Sequence, residues 1–406
     1  MRRGRCGGIA LAALLVVAAC QAGPPEEPKP SVKENHMAVY SKLYADFQQR
    51  SFLPVTSNAT GRERWFAPLA ESGFSNPPTV LLATPIGLVV QSVDRLALIS
   101  SDGFVAWSRS HGSGMSAVYA DSAVYYRGKE GDLYAVDAAG KPVVSDFFVP
   151  TATDRGFIFV AMPVTRDRIL LHTFNRAEEP EPGDPPQPSN FQVLLMGAEK
   201  YDDWDWIHEF EGGCLPALLT VEHDRVVLLS TIGSVTVYDV KTGEKRGAFE
   251  LAGTEFLQAS IDNENRLVAA LVSADGQPAV ACYDLNGKRI WQLPVETAER
   301  HVFHQPPAIG YDNRVYYINA DDLLVIDSGT IAWQTKVARS DRRYVTVLAD
   351  GSALVTSASI AVRFDKDGHA ACTITLDPAE PVVAPAVASE NGDLYLATVR
   401  GIHCYQ

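Results

Sequence analysis

The length and charge of this chain restrict its architecture and its partners. With 406 residues it exceeds the roughly 250–300 residues at which a single hydrophobic core stops growing, so we expect several domains or an array of repeats. A hydrophobic fraction of 46% and a charged fraction of 21% are typical of a folded protein. The formal charge of −14 argues against nucleic acid or anionic lipid as the main partner, since both require clustered lysine and arginine.

Residues 1–19 have the pattern of a secretory signal peptide. A basic start precedes an apolar run over residues 9–19, which is too short to span a bilayer. The run ends in Val17-Ala18-Ala19-Cys20, which resembles the lipobox of bacterial lipoproteins. The resemblance implies that Cys20 is acylated. Glutamine rather than aspartate at the next position implies the outer membrane, with the folded part of the chain facing the periplasm.

The next two segments are predicted to be a tether and a short helix. Residues 20–33 are rich in proline and glutamate, which favours a flexible linker. Within residues 34–52, four apolar side chains at i, i+3, i+4 and i+7 predict one face of an amphipathic helix: Tyr40, Leu43, Tyr44 and Phe47. We expect this helix to pack on the body that follows it. The alternative is that the helix binds a partner near the membrane.

A pattern of strand, Asp, Gly-containing turn and Trp-bearing strand recurs along the rest of the chain. Its clearest copy is Ala281–Trp291, A-C-Y-D-L-N-G-K-R-I-W, in which Asn286-Gly287 predicts a two-residue type I′ turn. Further copies occupy residues 98–107, 325–333 and 363–372, the last with Cys372 in place of the Trp. Two weaker copies, at 135–141 and 237–244, keep the Asp and the Gly but lack the Trp. The chain is therefore predicted to be a repeat protein.

The repeat has the period of a propeller blade. Aligned on the turn, the units begin near Pro78, Ser116, Arg155, Leu215, Leu257, Pro307, Tyr344 and Val383. Most units are about 39 residues apart, within the range for a four-stranded propeller blade. A β-sandwich would explain the strands and turns, but it would explain neither the fixed period nor the returning Trp. The expected fold is all-β, an antiparallel β-propeller over residues 60–406.

The last unit predicts how the ring closes. Residues 382–406 supply three strands and then the chain stops, whereas Thr60–Trp65 supplies a Gly and a Trp in the pattern of a fourth strand. We expect the N-terminal strand to complete the final blade, which gives eight blades without exposed sheet edges. Five of the six Trp then occupy one place on the outer strand and are predicted to be structural side chains that pack blade against blade: Trp65, Trp107, Trp206, Trp291 and Trp333.

Two insertions interrupt the period. One lies between the second and third strands of the third unit, and the other joins the fifth unit to the sixth. In a propeller these connections lie on the same face, and loops on a rigid scaffold often carry binding. The candidate partner-binding residues are Glu178, Glu179, Glu181, Asp184, Arg300, His301 and His304. The alternative is that both insertions are solvated and bind nothing.

The Asp, the turn Gly and the Trp at these spacings resemble the PQQ-like β-propeller repeat. An acylated eight-bladed propeller of this length is similar to the BamB family, lipoproteins of the outer-membrane β-barrel assembly machinery. The resemblance implies a non-catalytic scaffold, a monomer within a hetero-complex, whose partners are envelope proteins such as that machinery. PQQ-like repeats also occur in enzymes, so the functional step rests on analogy.

Catalytic and metal-binding patterns are absent from the sequence. Quinoprotein dehydrogenases of this superfamily carry two adjacent Cys and an acidic calcium site, whereas no two of the four Cys that follow the tether are adjacent: Cys214, Cys282, Cys372 and Cys404. Only Cys372 and Cys404, on neighbouring blades, are candidates for a disulfide. Asp202, Asp203 and Asp205 could bind calcium, but a solvated acidic turn explains them as well. We therefore expect no enzyme activity, no cofactor and no metal.

Two further functions remain open at this point. A propeller of this kind could bind a ligand or a glycan in its central funnel, which a small molecule bound on the axis would support. It could also be a degenerate PQQ-dependent dehydrogenase, which would bind the quinone. The scaffold function is the main prediction.

Overall fold

The described part of the protein consists of β-strands and turns. The computed structural model describes residues 40–41, 52–53, 55–57, 59–110, 117–120, 122–127, 133–147, 157–165, 168–175, 190–197, 204–211, 214–253, 255–296, 306–340 and 342–406. Within these ranges there is no helix.

The strands form eight sheets, which we number as blades 1 to 8 in chain order. Two short strands, β1 (Tyr40–Ser41) and β2 (Phe52–Leu53), precede β3 (Glu63–Pro68). Blade 1 contains β4 (Val80–Thr84), β5 (Gly87–Gln91), β6 (Arg95–Ile99) and β7 (Val105–Ser110). Blade 2 contains β8 (Val118–Ala120), β9 (Ala123–Arg127), β10 (Leu133–Val136) and β11 (Pro142–Phe147). Blade 3 contains β12 (Phe157–Thr165), β13 (Arg168–Asn175), β14 (Asn190–Gly197) and β15 (Trp204–Glu211). Blade 4 contains β16 (Leu218–Leu219), β17 (Arg225–Leu229), β18 (Ser234–Asp239) and β19 (Lys245–Glu250).

The second half of the chain repeats this order. Blade 5 contains β20 (Glu255–Ile261), β21 (Leu267–Val272), β22 (Pro278–Tyr283) and β23 (Arg289–Pro294). Blade 6 contains β24 (Ala308–Ile309), β25 (Val315–Asn319), β26 (Asp322–Asp327) and β27 (Thr330–Lys336). Blade 7 contains β28 (Arg343–Leu348), β29 (Ala353–Ser357), β30 (Ile360–Phe364) and β31 (Ala370–Thr375). Blade 8 contains β32 (Val387–Ala388), β33 (Leu394–Ala397), β34 (Gly401–Tyr405) and, from the N-terminal side, β3.

This arrangement confirms the predicted eight-bladed β-propeller. Within blades 1 to 7 the four blade strands pair antiparallel in chain order, from the innermost strand to the outermost. In blade 8 the order from the inside is β32, β33, β34 and β3. Inner and middle strands such as β4, β25 and β29 are buried at every residue, because each blade is covered on both faces by its neighbours. Outer strands such as β7 and β27 are mostly exposed or half-buried, since they form the rim. The buried apolar core therefore runs between the blades.

The predicted closure by an N-terminal strand is also confirmed. β3 pairs antiparallel with β34, with Trp65 opposite Cys404 and Pro68 opposite Gly401. The C-terminal residue extends the pairing, because the amide of Gln406 donates to the carbonyl oxygen of Arg62 at 2.9 Å. The outermost strand of blade 8 thus comes from the opposite end of the sequence from its other three strands.

The alternation of strand directions defines two faces of the ring. On one face lie the turns between second and third strands and the connections from one blade to the next, and we call it the connection face. On the other lie the turns between first and second strands and between third and fourth strands, and we call it the turn face. The innermost strands run from the connection face to the turn face in every blade.

The predicted type I′ turn at Asn286-Gly287 is wrong. Of these two residues only Gly287 has a positive φ, 85°, and its amide donates to the carbonyl oxygen of Asp284 at 3.0 Å. The turn therefore begins at Asp284 and ends in a left-handed Gly, with a register shift between Cys282 and Tyr283 in the adjoining ladder. Asp284 determines this geometry, because its carboxylate accepts the amides of Asn286 and Lys288, both at 2.9 Å.

The structure differs from the predicted helix over residues 34–52 wherever it describes that segment. Tyr40–Ser41 forms β1, which pairs antiparallel with β8, and Phe52 begins β2, which pairs parallel with β28. Both partners are innermost strands, whose inward edges carry unpaired backbone groups that an extended segment can satisfy. The other residues of the predicted helix, the signal peptide and the tether lie outside the described residues.

Candidate interaction site

The seams between blades are built around aromatic side chains that lie on turn glycines. The predicted Trp are on outermost strands, and each packs on the turn between the third and fourth strands of the next blade. A Cβ atom added to Gly243 would lie 2.3 Å from Cγ of Trp206, and one added to Gly368 would lie 2.8 Å from Cδ2 of Trp333. Only a glycine allows this approach. Trp65, Trp107 and Trp291 lie in the same way on Gly103, Gly140 and Gly329.

Hydrogen bonds fix several of these indoles in the seam. The Nε1 of Trp206 donates to the carbonyl oxygen of Val240 at 2.8 Å, and that of Trp333 donates to Lys366 at 2.9 Å. Both acceptors are the residue after the turn Asp. The Trp65 and Trp107 indoles donate to Ser101 and Ala138 in equivalent turns, at 2.8 and 3.2 Å. An indole in this position contributes apolar area and a satisfied N–H at once.

Among the seams whose side chains are described, two use residues other than Trp, and sequence reasoning missed one of them. In blade 4, Gly247 occupies the position of the Trp, and the aromatic residue is Phe249, two residues later. Phe249 packs on Gly287 of blade 5, where an added Cβ would lie 2.7 Å from Cδ2 of the ring. The offset of two residues keeps Phe249 on the same face of the strand but hides it from a search at the Trp position. In blade 7, Cys372 faces Gly61 across the seam to blade 8, with 3.5 Å between Sγ and an added Cβ.

The strand ends that bracket both insertions lie on the connection face. Asn175 at the end of β13 is paired with Asn190 at the start of β14, so the first insertion leaves and returns at one place. β23 ends at Pro294 and β24 begins at Ala308, on the same face by strand direction. The predicted partner-binding residues themselves, Glu178, Glu179, Glu181, Asp184, Arg300, His301 and His304, lie outside the described residues.

Between these two insertions, the connection face presents an exposed isoleucine that the sequence did not single out. Ile232 lies in the turn between β17 and β18 of blade 4, and 73% of its surface is exposed. A single Ile in a repeat sequence gives no signal by itself, because most Ile of a propeller are buried in strands. We call the region of the connection face from blade 3 to the start of blade 6 the insertion arc.

The backbone around Ile232 is fixed by three hydrogen bonds. The amide of Gly233 donates to the carbonyl oxygen of Ser230 at 3.1 Å, and the amide of Leu251 donates to that of Gly233 at 2.9 Å. The amide of Phe256 donates to the carbonyl oxygen of Thr231 at 2.8 Å. Because the turn is already ordered, binding of a partner over Ile232 would cost little conformational entropy in the turn.

The described charges of the insertion arc are acidic. The exposed carboxylates are Glu250, Glu255, Asp275 and Glu296. The Oγ–H of Ser273 donates to Asp275 at 2.5 Å and lowers the pKa of that carboxyl, which keeps it ionised. An exposed apolar side chain on the same face as these carboxylates fits a partner that offers both an apolar recess and basic groups.

Three of the four described cysteines are poor nucleophiles because they are buried. All four cysteines of the described chain are free thiols, so the candidate pair Cys372 and Cys404 is not bridged. Burial raises the pKa of the Cys214, Cys282 and Cys404 thiols to about 12 each. These three thiols are therefore protonated at neutral pH and unreactive.

The described residues contain no ligand group for a calcium ion. Among them, no three His, Cys, Asp or Glu side chains are grouped so that they could hold a metal ion. Asp205, one of the three predicted calcium candidates, forms an ion pair with Arg168, with 2.7 Å between Oδ2 and Nε. The other two candidates, Asp202 and Asp203, lie outside the described residues. The part of the chain that the structure describes also includes no helix capable of spanning a membrane.

Comparisons with known proteins agree with the fold. The model of a family described as "Outer membrane protein assembly factor BamB" matches residues 53–281, more than half of the chain. BamB from Moraxella catarrhalis is similar in structure, with 14% identity, a TM-score of 0.52 and coverage of 80% of this chain and 92% of that chain. No curated protein matches the sequence.

Two oxidoreductases have similar structures. A quinohemoprotein alcohol dehydrogenase from Comamonas testosteroni shares 11% identity with a TM-score of 0.61, over 91% of this chain and 80% of its own. A europium-containing methanol dehydrogenase shares 11% identity with a TM-score of 0.60, over 91% of both chains. At such identities the likeness shows the eight-bladed fold alone.

Proposed function

Because this chain belongs to the family described as outer membrane protein assembly factor BamB, we propose that it is a non-catalytic scaffold that binds envelope proteins during outer-membrane assembly. It is a lipoprotein, cleaved before Cys20 and acylated there, and its propeller faces the periplasm. The lipid anchor restricts the propeller to the membrane surface and so raises its local concentration near membrane-bound partners.

The observation that carries this proposal is the rigid, exposed Ile232 in the insertion arc. The ring holds its turn by backbone hydrogen bonds, so the side chain is displayed at a fixed place on the connection face. The acidic groups around it favour a basic partner over anionic lipid or nucleic acid. The insertions at 176–189 and 297–305 flank this anchor in the chain and would complete the binding surface.

The degenerate dehydrogenase receives no comparable support. The structural likeness to quinoprotein dehydrogenases is a likeness of fold, and fold does not determine chemistry. The described residues lack a metal-ligand group, and the thiols of Cys214, Cys282 and Cys404 are protonated.

Site-specific photocrosslinking in cells tests the scaffold. A photoreactive phenylalanine derivative replaces Ile232 in the tagged, full-length protein, and captured proteins are identified by mass spectrometry. Phe104 is the matched control, because it is 74% exposed but lies on the turn face, in the turn between β6 and β7. Val93, 54% exposed and on the connection face of blade 1, controls for position around the ring. A Cys20→Ser variant, which cannot be acylated, controls for the anchor.

We expect position 232 to capture components of the β-barrel assembly machinery, with much weaker capture at 93 and 104 and in the Cys20→Ser background. Capture of another envelope complex at position 232 would keep the scaffold and reject the assembly function. Equal capture at all three positions would reject the insertion arc as the binding face.

A further inference from the structure

The N-terminal segment of the described chain lies on the inside of the ring before it reaches the rim. β1 pairs with β8, with Tyr40 opposite Tyr119 and Ser41 opposite Val118, and it also contacts β4. β2 pairs with β28 of blade 7, with Phe52 opposite Val347 and Leu53 opposite Leu348. β4, β8 and β28 are innermost strands, so both short strands lie on edges that face the axis.

From the axis the chain runs outward along the turn face, between blades 7 and 8. The carbonyl oxygen of Val55 accepts the amide of Ala349 at 2.9 Å, in the first turn of blade 7. The Oγ–H of Ser57 donates to the carbonyl oxygen of Gly392 at 2.7 Å, in the first turn of blade 8. Farther out, the amide of Thr60 donates to the carbonyl oxygen of Gln406 at 2.8 Å, where β3 begins. The segment therefore joins the axis to the outermost strand of blade 8.

Three side chains of this segment are buried as deeply as those of the core. Leu53 is 1% exposed, Ser57 0% and Ala59 4%. Leu53 belongs to the buried cluster that includes Leu348 of blade 7 and Val80 of blade 1. The segment is thus packed as part of the propeller and is not a loose linker.

The seam that the segment follows is also the one in which Cys372 occupies the Trp position. Ala59 shares a buried cluster with Ile374 of blade 7 and Leu394 of blade 8, and Cys372 packs against that cluster. An indole at position 372 would need the space between the blades through which the chain passes. In this seam, the small side chain of Cys372 leaves space for the path of the chain.

We propose that the axial channel is a strand-docking site whose occupant is this chain's own N-terminal segment, residues 40–41, 52–53 and 55–57. The inward edges of β8 and β28 supply the backbone partners, and the seam between blades 7 and 8 supplies the apolar contacts. This inference is independent of the scaffold function, because it concerns the axis and not the connection face. A ligand on the axis has to share the channel with this segment or displace it.

Disulfide trapping in the full-length protein tests the docking. Directly opposed residues of an antiparallel pair have Cα atoms about 4.5–5.5 Å apart, within the range that a disulfide requires. The test pair is Ser41→Cys with Val118→Cys. The matched control is Ser41→Cys with Leu218→Cys, because Leu218 is also buried on an innermost strand, β16, but in blade 4. Tyr40→Cys with Tyr119→Cys is a second test pair, in case the change at Val118 disturbs folding.

We expect mild oxidation to link 41 to 118 within one molecule, about tenfold more than 41 to 218, as peptide mapping by mass spectrometry will show. Links between two molecules would assign the site to the segment of a second copy and overturn the proposal. Failure of both test pairs to link in folded protein, or equal linking of the control, would also overturn it. The outcome of the disulfide test, whether it supports or overturns the docking, does not affect the capture of partners at position 232.

Discussion

At the scale of single residues, the turn glycines are held in place by two separate constraints. Gly243 and Gly276 both adopt left-handed backbone conformations, with φ of 69° and 79°. Gly243 also lies under Trp206, whereas no atom lies within 4 Å of a Cβ added to Gly276. The pair therefore separates the cost of the backbone conformation from the cost of contact with the indole.

We expect Gly243→Ala to destabilise the protein much more than Gly276→Ala. Gly276→Ala should lower the free energy of unfolding by about 1 kcal/mol, because it forces an L-residue into the left-handed conformation. The change at Gly243 adds a clash with Trp206, for a total of about 2–4 kcal/mol. Urea unfolding followed by tryptophan fluorescence measures both. Equal losses would show that the indole moves aside freely and does not hold the seam.

At the scale of the elements, the turn between third and fourth strands depends on an ionised Asp. The Asp365 carboxylate accepts the amides of His369 and Asp367 at 2.9 and 3.0 Å, and the first of these bonds is the main reason that its pKa is lowered. In blade 4, the Arg246 guanidinium donates to Asp239 at 2.8 Å and, together with the Thr242 amide, lowers the pKa of that carboxyl. Each such turn positions the Gly on which the next aromatic side chain packs.

These shifts predict a loss of stability in acid. A carboxyl whose pKa is lower in the folded state than in the unfolded state stabilises the fold above the unfolded value of about 3.9. That contribution is lost as pH falls through the folded pKa. We expect the melting temperature to fall between about pH 5 and pH 3, and to fall less steeply in Asp239→Asn. Glu71→Gln, which removes an exposed charge, is the control. If Asp239→Asn leaves the slope unchanged, the turn carboxylate does not carry the effect.

At the scale of the whole molecule, one strand decides whether the ring is closed. β3 is attached to β34 by backbone pairing. An ion pair joins β3 to the turn before β33, with Nη1 of Arg64 2.9 Å from Oδ2 of Asp393. The side chain of Asp393 is only 5% exposed, whereas that of Arg64 is 34% exposed. The His403 imidazole adds a second link, with Nδ1 2.7 Å from Oε1 of Glu63.

We expect Arg64→Ala to loosen this closure, because it leaves the buried carboxylate of Asp393 without its partner. Loss of one partner of a fully buried pair costs about 3–5 kcal/mol, and the partial exposure of Arg64 reduces this to about 1–2 kcal/mol. Hydrogen exchange of the amides of β34 should become faster, with little change in blade 5. The control is Arg62→Ala, which replaces an exposed arginine two residues earlier. It should change neither the free energy of unfolding nor the hydrogen exchange of β34. Uniformly faster exchange in all blades would contradict a local role in closure.

Much of the propeller could be predicted from the sequence, because the repeat encodes it locally. The Asp, the Gly and the Trp recur at fixed spacing, and each copy directs the same turn and the same packing. Phe249 was missed because its displacement by two residues keeps the strand face but breaks the spacing. Ile232 was missed because an exposed apolar residue is recognised only when burial is known. At residues 40–41 and 52, the described part of the helix that a local periodicity predicted, the chain instead pairs as β1 and β2.

The sequence by itself determined the all-β class, the number of blades and the closure by an N-terminal strand, because these follow from periodic local signals and an incomplete last copy. Only the tertiary structure decided the turn geometry at Asp284, the exposure of Ile232 and the path of the N-terminal segment across the ring. The physical reason is that burial and edge pairing depend on which distant residues meet. The inward edges of β8 and β28 become neighbours of the N-terminal segment only when the ring has closed.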